Sequence, residues 1–190
     1  MIKAYLAGPD VFLPNAVEHA QRKIEICTKY GITGLAPLNQ DAEPTSGLSA
    51  DIKWTDIFHK DIEMMEASDI IIANLTPFRG ASADAGTLVE IGWFLGRGKP
   101  IFGYSNSARL FDRRSKDQTS VIPDPMRGIA VEGFDLPDNL MIAGAVLEGG
   151  GALITLPELG QDEPFDALSV FERCVSLAAD KLVSRKDSAS

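Results

Sequence analysis

Apolar and polar positions change period several times along the chain, and each change predicts an element. Ile2-Lys3-Ala4-Tyr5-Leu6-Ala7 is a short apolar run closed by Gly8-Pro9-Asp10, a buried strand followed by a turn. From Pro14 to Tyr30, Val17, Ile24 and Cys27 recur among charges at helical spacing, and Gly31 suits the position just past a helix end. Thr33 to Ala36 predicts a second strand, and residues 38–50 read as loop. Asp51 to Ala67 returns to helical spacing. Asp69 to Leu75 is apolar on both faces, as a central parallel strand requires. A loop over Thr76–Ala83, a helix over Thr87–Gly96 and a strand over Pro100–Tyr104 follow.

The rhythm then breaks. Residues 105–135 are polar, with Arg113-Arg114-Ser115-Lys116-Asp117 and Pro123-Asp124-Pro125, and read as a lid-like insertion. Leu140–Leu147 and Ala152–Leu156 are both apolar, and one of them is expected to add a last strand. Glu163 to Val183 predicts a closing helix, with Ser184–Ser190 as a frayed tail.

Strands alternating with helices predict a single α/β domain over residues 1–190, with a parallel sheet covered on both faces. The expected fold is flavodoxin-like and doubly wound, five strands in the order 2-1-3-4-5. Strands one and three are then neighbours that lead away to opposite faces. The crevice at their carboxyl ends is the expected ligand site, bordered by Gly8–Asn15 and Thr76–Asp84.

Composition narrows the partners. A net charge of −9, from 18 basic and 27 acidic residues, repels phosphate backbones and disfavours nucleic acid. No run reaches membrane-spanning length, and the N-terminus reads as a strand rather than a signal peptide, so the cytoplasm is the expected compartment. Cys27 and Cys174 fall in helical segments and are expected to be packed, reduced thiols. His19 and His59 lack metal-ligand spacing, so no metal is expected, and both read as exposed helix residues. The first turn carries no dinucleotide-type glycine motif, and there is no Walker loop or nucleophile elbow.

The candidate chemistry gathers in Ser82-Ala83-Asp84-Ala85-Gly86-Thr87-Leu88-Val89-Glu90. Thr87 and Glu90 fit a capping box, in which Glu90 folds back onto the helix start. Alternatively, Glu90 projects from the first helical turn into the crevice, where an anionic carboxylate can attack an electron-poor carbon. Asp84 suits a helix cap or a carboxylate that binds sugar hydroxyls. Asp61 shares a helical stripe with Trp54, Ile57, Phe58, Ile62 and Met65. Such an acid sits at an edge, pairs with Lys60 or Arg79, or is a proton donor raised by desolvation. Tyr5 is either a core tyrosine or the group that orients Glu90. Phe12 and Phe78 lie in the two bordering loops, where they pack or sandwich a flat base. Gly8 and Gly80 let backbone approach a ligand closely. Asp10 contacts a base or caps the next helix.

These pieces, in order, resemble the nucleoside 2-deoxyribosyltransferases. The likeness rests on Tyr5-Leu6-Ala7-Gly8-Pro9, Lys60-Asp61-Ile62, Asn74 to Gly80, Asp84-Ala85-Gly86-Thr87 with Glu90-Ile91-Gly92, and Val131-Glu132-Gly133-Phe134 with Leu136 to Met141. The resemblance implies that Glu90 is a nucleophile forming a covalent deoxyribosyl-enzyme, with Tyr5 holding it. It implies that Asp61 protonates the departing base and Asp84 binds deoxyribose hydroxyls. Asn139 matches an asparagine that reaches a neighbouring subunit's site. It further implies no cofactor, a deoxyribonucleoside and a free nucleobase as substrates, and a homo-oligomer built from dimers, up to a hexamer. Two alternatives remain: a hydrolase of 2′-deoxynucleoside 5′-monophosphates on the same fold, and a nucleotide-binding module without chemistry.

Overall fold

The computed structural model describes residues 1–38, 54–121 and 130–188, with side chains described to residue 183. Four strands form one parallel sheet: β1 (Ile2–Ala7), β2 (Ile32–Leu35), β3 (Ile70–Asn74) and β4 (Ile101–Tyr104), in the order β2-β1-β3-β4. Register is direct, with Tyr5 opposite both Leu35 and Ile71, and Ile72 opposite Phe102. The predicted fifth strand is reduced to a single parallel bridge between Tyr104 and Thr155. It sits beside β4, where the order 2-1-3-4-5 places it, but Pro157 follows two residues later and removes the next amide donor.

Both faces of the sheet are buried, and strand alternation divides them. Tyr5, Ala7, Ile71, Ala73 and Ile101 face one core, packed by α2 (Trp54–Glu66), α3 (Ala85–Gly96) and α5 (Leu140–Gly150). Ala4, Leu6, Ile70, Ile72 and Phe102 face the other, packed by α1 (Ala16–Lys29) and α6 (Ser169–Ser188). Burying each isoleucine of β3 contributes roughly 2–3 kcal/mol before chain entropy is counted. This is the doubly wound, flavodoxin-like arrangement.

Several elements differ from the sequence reading. Leu140–Leu147 is helix, because its apolar residues Ile142, Ala143, Ala145 and Val146 meet β4 with helical periodicity. The closing helix starts at Ser169 rather than Glu163, and its backbone runs through Ser188. Within the polar segment 105–135 lies a helix, α4 (Phe111–Val121). Its period was illegible because its buried residues are Asp112 and Arg114, not apolar ones. Residues 122–129 of that segment, the loop 39–50 and the start of the predicted 51–67 helix lie outside the described residues.

The crevice is set by the ends of β1 and β3. β1 runs into Gly8 and a 3₁₀ turn (Pro9–Phe12) that leads to α1 on one face. β3 runs into Thr76–Ala83 and then α3 on the other face. Gly8 has φ 149°, and a Cβ there would stand 2.6 Å from the Cβ of Asn74. Only glycine allows this close crossing of the two strand ends.

Candidate active site

A cavity of about 1070 Å³ opens at this switch point. Val11 and Phe12 from the 3₁₀ turn, Ile57 and Asp61 from α2, and Asp84 and Glu90 from α3 lie along its wall. The packing of α2 and α3 thus brings together acids that are 6 to 29 positions apart in sequence.

α3 begins two residues earlier than predicted. Asp84 is its N-cap, and its Oδ2 accepts the amide of Thr87 at 3.2 Å. Thr87 is therefore in the first turn, and the capping box does not form. Glu90 falls in the second turn rather than the first. Its carboxylate meets the Tyr5 hydroxyl instead, which donates to Oε1 at 2.7 Å. Tyr5 itself is fully buried at the middle of the sheet, its ring stacked near Phe94.

Burial decides the electrostatics of Glu90. Desolvation raises its carboxyl to about 7, and the charges of Asp61 and Asp84 push the same way. The Tyr5 hydrogen bond opposes them, as does the general preference for anions near a helix start, and both lose to burial. The Tyr5 hydroxyl moves far above its ordinary value, first by burial and then by its anionic partner, so it stays a donor.

Asp61 is half-buried on the cavity wall, and burial raises its carboxyl as well. The predicted pairings with Lys60 and Arg79 are absent among the described residues. The stripe around it is less buried than expected: Trp54 is 74% and Phe58 50% exposed, and Met65 alone is buried on α2. Lys99 Nζ donates to α2's terminal carbonyls, at 3.2 Å to Met65 and 3.0 Å to Glu66, and so fixes the helix that carries Asp61.

Asp84 is both a helix cap and a part of the cavity wall. Its Oδ2 caps α3, while the residue lines the cavity. Gly8 also lines the cavity; Gly80 does not, and the Gln118 side chain lies 3.8 Å from where its Cβ would be. Phe12 and Phe78 do not hold a gap between them. Their rings stack directly, centroids 5.5 Å apart and 12° from parallel, with the Arg79 guanidinium against both. A base inserted between them needs roughly twice a 3.5 Å contact distance, so the pair must part first.

Asn139 caps α5 and is absent from the cavity wall. Its Oδ1 accepts the amide of Met141 at 3.0 Å, and its Nδ2 donates to Glu132 at 2.8 Å. Glu132 also accepts the Leu140 amide at 2.7 Å, so one carboxylate orients the asparagine and completes the helix start.

Behind the wall lies a cluster the sequence reading missed. Asp10 neither contacts the cavity nor caps α1. It accepts Lys23 Nζ at 2.9 Å and Asn74 Nδ2 at 2.9 Å, with His19 Nε2 at 3.3 Å. His19 and Lys23 are each 2% exposed, so the surface assignment of His19 fails. Lys23 and His19 hold Asp10 well below the usual carboxylate range, against the opposing effect of burial. The ammonium also lies 4.7 Å from the Phe171 ring centre. His59 is exposed, as expected. Cys27 and Cys174 are both free and buried, and burial pushes their thiols up to about 11 and about 12.

Acids thus converge on a cavity at the switch point of a flavodoxin-like sheet, where such folds place their ligand crevice. The family model for nucleoside 2-deoxyribosyltransferases matches residues 4–141, and the chain belongs to that family. A 2-desoxiribosyltransferase from Leishmania mexicana superposes with a TM-score of 0.60 at 27% identity, covering 91% of this chain and 98% of that one. A conserved protein from Enterococcus faecalis V583 superposes at 0.53 and 25% identity, over 79% of this chain and 89% of that one. An uncharacterized protein of Schizosaccharomyces pombe is 35% identical over 114 residues, 58% of this chain. The chain spans about half the length of that relative, 53%. No helix among the described residues is long and apolar enough to cross a membrane.

Proposed function

We propose that this chain transfers 2-deoxyribose between purine and/or pyrimidine bases, with retention at the anomeric carbon, through a covalent deoxyribosyl intermediate on Glu90. The observation that carries the reading is the Tyr5–Glu90 contact, which turns the carboxylate away from its own helix start and beside a cavity bordered by Asp61 and Asp84.

Cleaving a nucleoside C1′–N bond develops oxocarbenium character on the sugar. A carboxylate on the opposite face stabilises that charge and then bonds to C1′, as in retaining glycoside hydrolysis. The Tyr5 hydroxyl fixes which oxygen of Glu90 is free: Oε1 is engaged, leaving Oε2 for attack. Asp61, with its carboxyl raised by burial, delivers a proton to the departing base as the bond breaks. The leaving base is then neutral. An incoming base attacks the same face that the first one left, Glu90 departs, and Asp61 accepts the proton. Two inversions give retention. Asp84 Oδ1, which carries no protein hydrogen bond among the described residues, binds sugar hydroxyl groups.

The assembly is a homo-oligomer in which Asn139 completes a neighbour's site. Support comes from the apolar surface beside it on α5, where Met141 is 70% and Leu147 49% exposed, and from Val89 on α3 at 70%. A deoxyribonucleoside and a free nucleobase are the substrates, in the cytoplasm, and the chemistry draws on side chains alone. The test incubates thymidine with adenine. Deoxyadenosine is the expected product, and Glu90→Ala should abolish it while the circular dichroism spectrum stays near wild type. Thymine release without transfer would favour a hydrolase, and full activity in Glu90→Ala would refute the nucleophile.

A further inference from the structure

The loop Ala81–Asp84 and the loop Pro137–Asn139 lie far apart in sequence, and each ends in a helix cap. Asp138 joins them. It is 1% exposed, and its Oδ1 accepts the Ser82 hydroxyl at 2.6 Å and the Asn139 amide at 2.8 Å. Its Oδ2 accepts the Ala83 amide at 3.0 Å. Arg114, 9% exposed on α4, stands behind it with Nη2 3.9 Å from that oxygen. The same guanidinium donates from Nε to the Ala81 carbonyl at 2.8 Å, from Nη2 to the Pro137 carbonyl at 2.7 Å, and from Nη1 to the Arg109 carbonyl.

Neither Asp138 nor Arg114 touches the cavity. A buried ion pair is a poor way to gain stability, since apolar groups of the same size avoid the desolvation cost. What it supplies is direction. Three segments that share no sheet or helix are held in register by bonds to particular atoms. The α4 segment, expected from sequence to be a movable lid, is here tied to the loops that carry Asp84 and Asn139.

We propose that Asp138, braced by Arg114, is a positioning residue for the deoxyribose subsite: it holds the Asp84 carboxylate and the Asn139 amide in fixed relation, the first for this chain's own cavity and the second for the neighbour's. This rests on the deoxyribosyl-transfer reading. Asp138→Asn keeps the volume but turns an NH₂ group toward an N–H donor, either that of Ala83 or that of Asn139. Ser82→Ala removes one bond and disturbs little else.

The experiment measures kcat/KM for thymidine as donor, with adenine saturating, in the full-length chain. Asp138→Asn is expected to lower it about tenfold and Ser82→Ala about threefold. The same two changes made on a background carrying both Asp84→Asn and Asn139→Ala should lower it no further than about twofold, because both groups they position are already lost. A merely structural role would instead multiply through, and equal losses on both backgrounds would overturn the proposal. So would wild-type kcat/KM in Asp138→Asn. If that variant does not fold, Ser82→Ala carries the comparison alone. Absence of transfer in the wild-type chain would refute the underlying function, before any variant is made.

Discussion

The hydroxyl of Tyr5 and the carboxylate of Glu90, 85 positions apart, meet at 2.7 Å. One comes from a central strand and the other from the second turn of a helix, so the whole α/β packing of β1, β3 and α3 sets their distance. A donor that cannot ionise in the working range faces an acid that burial has brought to about 7. The bond therefore strengthens when Glu90 is charged and weakens when it is protonated.

The first prediction is a pH profile. Attack requires Glu90 ionised and base departure requires Asp61 protonated, so donor kcat/KM should be bell-shaped in pH, rising as the Glu90 carboxyl ionises and falling as Asp61 loses its proton. Tyr5 holds the Glu90 value down, and Tyr5→Phe removes that effect. The acidic limb should move to higher pH, with kcat falling at least about tenfold from loss of a charge-assisted hydrogen bond. An unmoved limb would show that another group governs it. Asp61 interacts with Glu90, so the fitted values belong to the pair.

The same burial predicts a stability cost. The folded-state value of Glu90, about 7, lies above the ordinary 4.5 of an unfolded chain. The folded protein thus binds more protons between these values, and stability is lost as pH rises through that window. At pH 8 the cost is on the order of 3 kcal/mol, and it vanishes below pH 4. Glu90→Gln should accordingly raise Tm at pH 8 and change it little at pH 4. Equal shifts at both values would mean that packing, not charge, is responsible.

Much of this was legible in the sequence, and the gaps have physical causes. β3 could be read because Ile70–Asn74 is buried on both sides and its apolar run has no interruption. Asp61 could be found because an acid stood in an apolar helical stripe. Applied to α1, that test would have found His19 and Lys23, which share a face with Ala20 and Cys27. It was obscured by the many charges around them. Helix α4 was missed because an ion pair, not an apolar stripe, anchors it. The stacking of Phe12 on Phe78 follows from how two loops approach, which no local pattern encodes.

Removing the cation from the Asp10 cluster should be severe. Lys23→Met leaves Asp10 buried with Asn74 and His19 as its remaining partners. The expected loss is about 3–5 kcal/mol in urea denaturation at pH 7. Adding Asp10→Asn removes the stranded charge and should restore most of it. A double variant no better than the single would show that Lys23 acts by packing on Phe171 rather than by its charge.

Gly150 offers the sharpest packing test. It ends α5 where the helix lies on β4, and a Cβ there would fall 2.0 Å from the Ile101 carbonyl oxygen. The neighbour is backbone in a central sheet and cannot move without shifting the strand. Gly150→Ala gains up to about 1 kcal/mol of helix propensity. That is outweighed by overpacking of about 3 kcal/mol or more, as the α5 end is pried from Ile101. Gly92→Ala, inside α3 with open space around its Cβ, lacks that penalty and should stabilise by about 0.5–1 kcal/mol. Opposite signs in thermal denaturation are expected, and two stabilising changes would mean that α5 does not press on β4 as closely as this geometry requires.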